Sequence, residues 1–294
     1  MKISKIFDHK KVVFSLEVFP PKKDSSYTTV YNTLLQMREL PADFISVTYG
    51  AGGSAAQREK TLEIASLIIE TYRIESVAHL TCVTSDEDDV KALLESAKAR
   101  GIQNVFALRG DIPVNGERKY AFSHASDLVR FIRRHDPDIN VSGACYTEKH
   151  PESPSLEADI ENLKYKIDAG VNHLVTQLFF DNSKFYAFLD KAHGAGINVP
   201  IEAGIMPITT KTQLERVVKL SNAAVPKKLS RIHERYQDHP EALFDAGIAY
   251  ATEQIIDLIS QGVRGIHLYT MNSVETARRI TRNVHRIIQA ENQG

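Results

Sequence analysis

The chain is built on a repeated alternation. A short apolar, β-branched run is followed by a helical pattern, and the unit recurs to the end of the sequence. Candidate strands are Val12–Phe19, Phe44–Gly50, Ser76–Thr84, Asn104–Asp111, Asn140–Glu148, His173–Asp181, Pro200–Ile208 and Gly265–Met271. Helical patterns follow them, among them Tyr27–Leu40, Glu59–Tyr72, Asp86–Arg100, Ser126–His135, Leu156–Ala169 and Val274–Ile288. Ser85 before a run of acids marks a helix start. Gly101, Gly170 and Gly194 follow helical runs and read as stops. Eight strand–helix units in 294 residues have the count and size of a single closed (β/α)8 barrel, the α/β TIM-barrel fold. The alternative is a doubly wound open sheet. The barrel is preferred because the units run to the end without a break. No linker or domain boundary is visible, so residues 1–294 are expected to form one domain, with Val217–Gln261 supplying additional helices.

Composition narrows the function classes. Hydrophobic residues at 43% and charged residues at 25% are ordinary for a globular chain. A formal net charge of -1 offers no global attraction to nucleic acid or to an anionic membrane. Cys82 and Cys145 lie in different candidate strands without metal-ligand spacing, so buried free thiols in a reducing compartment, and no metal centre, are expected. The leading MKISKIFDHKK lacks a signal-peptide apolar core, and no run reaches the ~20 apolar residues of a membrane span. A cytoplasmic protein without nucleic-acid or membrane partners is the expectation.

The first candidate strand, VVFSLEVFPP, carries Glu17 between Leu16 and Val18. A carboxylate taken out of water costs several kcal/mol unless it is paired or neutralised. Pro20 and Pro21 end the strand, so Glu17 falls near its C-terminal end, where barrels place their chemistry. The alternative is a solvent-facing residue on an edge strand. Other strand ends are also polar: Thr48 and Tyr49, His79 and Thr81, Arg109 to Asp111, Tyr146 to Glu148 with His150 beyond, and Gln177. A polar ring contributed by six strands points to a site. His173 and His267 read as structural.

Two features hint at a phosphate-bearing ligand. The stretch from Tyr49 to Ala55 fits a loose G-x-G-x-x-A pattern, but the following strand lacks the terminal acid that holds a ribose. A turn needing positive φ is the preferred reading there. Asp159, Asn162 and Lys166 are spaced to share one helical face, which suits ribose hydroxyls and phosphates; an ordinary solvated stripe is the alternative.

Taken in order, FSLEVFPPK (Phe14–Lys22), FISVTYGAGG (Phe44–Gly53), AHLTC (Ala78–Cys82), ALRGD (Ala107–Asp111), HASDLV (His124–Val129), CYTEKHPE (Cys145–Glu152) and DAGVNHLVTQLFFD (Asp168–Asp181) closely resemble the methylenetetrahydrofolate reductase family. The resemblance is to the bacterial form, a catalytic barrel without a long regulatory extension. It implies one FAD-binding (β/α)8 domain that reduces 5,10-methylenetetrahydrofolate to 5-methyltetrahydrofolate with NADH or NADPH, by ping-pong transfer through the flavin. Such an enzyme serves one-carbon metabolism and methionine biosynthesis. The implied partners are these small molecules and further copies of the chain in a homo-oligomer.

The resemblance also implies roles. Glu17 matches the general acid that protonates the folate so that its five-membered ring opens. Asp111 matches the acid beside flavin and pterin. Gln177 and Gln213 match substrate-binding glutamines. Thr48, Tyr49, Ala51, His79, Arg109, Gly110, Asp111, Ala125, Tyr146, His150, Asp159, Asn162, Tyr165 and Lys166 fall on FAD-contacting positions. There are departures: Tyr165 stands where some relatives have a basic residue, Val217 where an aromatic packs on substrate, and Ser273 where an arginine occurs. They bear on affinity rather than on the chemistry. A glutamate at an apolar strand end suits the acid role, because burial favours its protonated form. Rival readings are another flavin barrel such as proline dehydrogenase, a non-catalytic folate or flavin binder, and a Schiff-base aldolase. The first lacks its motifs here, the joint presence of Glu17, Asp111 and Gln177 opposes the second, and the third lacks a strand-end lysine.

Overall fold

The computed structural model describes residues 1–21, 27–49, 55–111 and 118–294. In chain order the elements are α1 (Ile3–His9), β1 (Val13–Val18), α2 (Tyr27–Met37), β2 (Phe44–Val47), α3 (Ala55–Tyr72), β3 (Glu75–Thr81), α4 (Glu87–Ala99), β4 (Asn104–Leu108) and α5 (Ala125–His135). The second half runs β5 (Asn140–Cys145), α6 (Leu156–Asp168), β6 (His173–Thr176), α7 (Asn182–Gly194), β7 (Ile201–Ile205), α8 (Lys211–Ser221), α9 (Lys227–Tyr236), α10 (Pro240–Ser260), β8 (Gly265–Tyr269) and α11 (Val274–Gln293). Every strand pairs in parallel with its neighbours in sequence, and β8 pairs back onto β1. The sheet is therefore the closed eight-stranded barrel, not an open one.

Both faces of a parallel barrel are covered, so its strands are apolar almost throughout. The period of two still divides them. On β1, Phe14, Leu16 and Val18 belong to the main core between strands and helices. The alternate residues Val13, Ser15 and Glu17 belong to the barrel interior. Near the N-terminal ends of the strands that interior is apolar: Val13, Phe44, Val77, Phe106 and Val175 meet Ile3, Ile6 and Phe7 of α1, which plugs this end. Asn104 and Asn140 fasten the plug by accepting from the Ile3 and Ser4 amides. Farther along the strands the interior turns polar.

Several boundaries differ from the sequence expectation. The strands stop earlier: β2 ends at Val47, β4 at Leu108, β5 at Cys145 and β6 at Thr176. The polar residues beyond them leave the ladder to form loops. The helix starting near Ser85 is capped by Asp86, whose carboxylate accepts from Asp89 N while Asp89 accepts from Asp86 N. Ser85 Oγ donates to Thr81 O instead. Gly194 is the last residue of α7, and the left-handed turn after it falls on Gly196. Helix α1 has no counterpart among the expected helices. The additional helices expected over Val217–Gln261 are the end of α8, with α9 and α10. The Gly-rich turn after Tyr49, with Ala51, lies outside the described residues.

Candidate active site

The C-terminal ends of the strands surround a cleft of about 1370 Å³. Period-two alternation places Glu17 on its floor, where the residue is only 6% exposed. Two imidazoles flank the carboxylate: His267 Nε2 at 3.6 Å and His79 Nε2 at 3.7 Å from Oε2. Burial pushes His79 down to about 4, against the opposing influence of Glu17. His79 is therefore neutral near pH 7, and its contact with Glu17 is not an ion pair there. Phe106 stacks on its other side, with ring centroids 4.7 Å apart.

The wall above Glu17 is built from strand ends and the loops that follow. Thr48, Tyr49, His79, Arg109, Gly110, Asp111, Ala125, Tyr146, His150, Lys166, Gln177 and Gln213 all line the cleft. Gly110 has φ +84, and a Cβ there would lie 2.9 Å from Thr81 Cβ, so only glycine carries the chain past β3 to Asp111. Thr48 Oγ1 and His79 Nε2 are buried without a hydrogen-bond partner. An unpaired buried polar group is costly, and a ligand with polar edges would satisfy both. Arg109 makes a two-pronged ion pair with Glu152. Tyr146 packs edge-on against His150, and burial pushes its phenol up to about 12.

Some expected residues stand differently. Asn162 and Tyr165 are exposed on α6 and do not line the cleft, nor does Asp159. Asp159 organises the loop before α6, accepting from His150 N and Ser153 Oγ. Lys166 is the one member of that helical stripe that reaches the cleft wall, where its Nζ donates to Ala144 O. Gln177 accepts from Leu178 N through its side-chain oxygen. Gln213 lines the cleft, yet its amide braces the loop before α8, accepting from Thr209 N and donating to Pro207 O. Val217 and Ser273 line the cleft as well, and Ser273 caps α11 through Thr276 N.

His267, read as structural from sequence, faces Glu17. His173 is structural: wholly buried, it bonds Ser142 and Glu202. Glu202 is a second acid inside an apolar strand, the signal that singles out Glu17, and it is wholly buried. Tyr269 lines the cleft, donates to Thr176 O, and is pushed well above its ordinary value by burial. Cys82 and Cys145 are buried free thiols, the latter pushed up to about 12 by burial. No helix among the described residues is long and apolar enough to cross a membrane.

The family model for methylenetetrahydrofolate reductase matches residues 2–285. A protein of Pectobacterium carotovorum named 5,10-methylenetetrahydrofolate reductase is 33% identical over 265 residues, covering 90% of this chain and 87% of that protein. An Arabidopsis thaliana protein named methylenetetrahydrofolate reductase (NADH) 1 is 35% identical; the match covers 96% of this chain and 50% of the plant protein. Among solved structures, a Clostridium thermocellum protein described as binding two copies of 5-methyl-5,6,7,8-tetrahydrofolic acid superimposes with a TM-score of 0.67 at 15% identity. That match covers 98% of this chain and 100% of the other and speaks for the fold. A family model spanning nearly the whole chain, with relatives at a third identity over most of it, decides the affiliation: this chain belongs to the methylenetetrahydrofolate reductase family.

Proposed function

We propose that this protein reduces 5,10-methylenetetrahydrofolate to 5-methyltetrahydrofolate, taking electrons from NADH or NADPH through FAD held in the cleft. The observation that carries the reading is Glu17, a carboxyl group buried at the floor of a large cleft and open on one side to whatever binds there. Family membership supports the substrate class. The cleft exceeds the roughly 300–1,000 Å³ of most ligand sites, as a dinucleotide plus a second flat substrate would require.

The residues present fit a flavin dinucleotide. Thr48 Oγ1 and His79 Nε2 supply buried polar atoms awaiting partners. Arg109 and Lys166 supply positive charge for phosphates. Asp111, in the loop after β4, and Gln177 both line the cleft, and their carboxylate and amide suit the polar edge of a pterin. Bound FAD would supply hydride chemistry, accepting from nicotinamide and donating to folate.

The chain's own part is orientation and a proton. The cleft walls hold flat rings against one another, which removes the entropy cost of bringing reactants together. Glu17 then donates its proton to a folate ring nitrogen, the ring opens to an iminium, and the exposed carbon becomes the hydride acceptor. One cleft above Glu17 supports alternating occupation by nicotinamide and folate, hence ping-pong kinetics.

The purified protein should be yellow. Anaerobic addition of NADH or NADPH should bleach the flavin band, and methylenetetrahydrofolate should restore it with formation of methyltetrahydrofolate. A colourless protein that takes up no FAD would remove the flavin from the reading. Bleaching without reoxidation by folate would leave a nicotinamide-dependent flavoprotein of another specificity.

A further inference from the structure

Beneath Glu17 the barrel interior contains a continuous chain of buried polar groups. Ser142 Oγ and His173 Nδ1 are 2.8 Å apart, and His173 Nε2 lies 2.9 Å from Glu202 Oε2. Ser15 Oγ donates to Glu202 Oε1 at 3.0 Å and lies 2.7 Å from His267 Nδ1. His267 Nε2 then faces Glu17 Oε2 at 3.6 Å. Ser15, Ser142, His173 and Glu202 are wholly buried, and His267 is 2% exposed. Space for this acid is built into the backbone: a Cβ on Gly265 would lie 2.4 Å from Glu202 Cγ.

Proton counting gives the chain a direction. A carboxylate only accepts hydrogen bonds, and one buried this deeply needs donors on both oxygens. Ser15 has one proton and two close polar neighbours, with the Ile266 carbonyl a distant third acceptor at 3.5 Å. If that proton goes to Glu202, Ser15 Oγ must accept from His267, which requires hydrogen on Nδ1. A neutral imidazole with hydrogen on Nδ1 carries its lone pair on Nε2, on the side of Glu17. A lone pair facing a carboxyl group is favourable only when that carboxyl keeps its proton. In the opposite arrangement the proton sits on Glu202, Ser15 donates to His267, and Nε2–H faces an ionised Glu17. The two arrangements contain the same number of protons. Contact distances favour the first: an ionised Glu202 has His173 Nε2 at 2.9 Å and Ser15 Oγ at 3.0 Å as donors, whereas the imidazoles nearest Glu17 stand at 3.6 and 3.7 Å, beyond hydrogen-bond reach.

We propose that Glu202 is a positioning residue for the acid: through Ser15 it fixes His267 in the Nδ1–H tautomer, which holds Glu17 in its protonated form. This rests on the functional reading above for its purpose but not for its physics. Among the described residues, the other titratable groups facing the pair are His79 on β3 at Glu17, His173 on β6 at Glu202, and Tyr269 on β8, whose phenol feels both carboxyl groups.

Two readouts on the protein as purified, near pH 7, test it without folate. In 15N-histidine-labelled protein, the resonances lost in His267→Gln identify His267, and they should report the Nδ1–H tautomer. In an infrared difference between wild type and Glu17→Gln, a protonated-carboxyl band should belong to Glu17. Ser15→Ala should shift His267 toward Nε2–H and diminish the Glu17 band, and Ser15→Thr, which keeps the hydroxyl, should restore both. Kinetically, Ser15→Ala should slow the folate half-reaction by about 10-fold or more, part of the ~10²–10⁴-fold due to a general acid. The nicotinamide half-reaction should stay within about 2-fold, since it needs no proton from Glu17. A wild-type His267 protonated on Nε2 or on both nitrogens overturns the proposal, whether or not Ser15→Ala folds. So does a tautomer or carboxyl band indifferent to Ser15→Ala. Absence of folate reduction in wild type, with both spectroscopic signatures present, defeats the functional reading alone.

Discussion

Arg109, which lines the cleft, is held by Glu152 through two parallel bonds, Nη1 to Oε2 at 2.6 Å and Nη2 to Oε1 at 2.7 Å. Arg109 holds the Glu152 carboxyl down to about 2. The glutamate side chain is 60% exposed, so solvent screens the pair and its net contribution to stability is small. Its significance is competitive. A ligand phosphate would take the planar fork that Glu152 now occupies. Arg109→Ala should weaken FAD binding by ~10–100-fold, the value of a charge-assisted bond. Glu152→Gln, which removes the competing charge, should bind FAD at least as tightly as wild type. Titration of apoprotein with FAD, followed by flavin fluorescence, measures both. Weaker binding by Glu152→Gln would make the ion pair part of the site rather than its competitor.

The α6 stripe makes a second separation possible. Lys166 lines the cleft while Asn162, on the same helix, is exposed outside it. Lys166→Ala should reduce FAD affinity by roughly 10-fold or more. The matching Asn162→Ala change should be milder in the same titration. Equal losses would mean that the ligand extends over the helix face beyond the cleft.

How much of this could be read from the chain alone depends on range. The barrel is legible because each strand and helix advertises its own period locally. Glu17 stands out because an acid interrupts an apolar run. Glu202 carries the same signal in IEAGI, but there it follows Pro200 at the start of a strand and precedes two small residues, so nothing local marks it as a site. The partnership of Ser15 with His267 spans 252 residues and exists only because β8 closes onto β1, which no local pattern encodes. Asp159, Asn162 and Lys166 do share a helix face, but a shared face does not say how far a cleft wall extends along it. Strand ends are hard to read for a related reason: the residues that build the cleft follow the strand directly in sequence while leaving its ladder.

Asp111 ends the run from β4, just past Gly110, and is exposed on the cleft wall. Asp111→Asn removes the charge at nearly constant shape. If the carboxylate lies near both flavin and pterin, folate reduction should slow and the flavin reduction potential should rise, because a nearby negative charge disfavours the reduced, anionic form. Redox titration and steady-state folate kinetics test the two effects separately. An unchanged potential with unchanged kinetics would place Asp111 outside the reacting centre.

His79 gives the protein a pH signature. Its value in the fold is about 4, against 6.5 for an unperturbed histidine, with burial as the main cause. Below pH 6.5 the unfolded chain binds a proton that the folded state refuses. The contribution is therefore complete above pH 6.5 and is lost as pH falls toward 4, where the folded state also protonates. For so buried a group the loss is on the order of 3 kcal/mol. Urea unfolding at pH 7.5 and pH 4.5 should show wild type losing more stability than His79→Gln. Parallel losses in the two proteins would assign the acid sensitivity to other groups.

Glu17 separates the two halves of the proposed reaction. Hydride transfer from nicotinamide to flavin needs no proton delivered to folate, whereas transfer from flavin to folate does. Glu17→Gln keeps the size of the side chain and much of its hydrogen bonding, but it cannot donate that proton. The variant should bind FAD, be reduced by nicotinamide at a nearly normal rate, and lose folate reduction by ~10²–10⁴-fold. Stopped-flow measurement of each half-reaction distinguishes the cases. Equal losses in both would mean that Glu17 supports the cleft floor structurally, through its contacts with His79 and His267. No loss in the folate half-reaction would remove it as the acid and shift the role to Asp111 or to a water molecule bound above it.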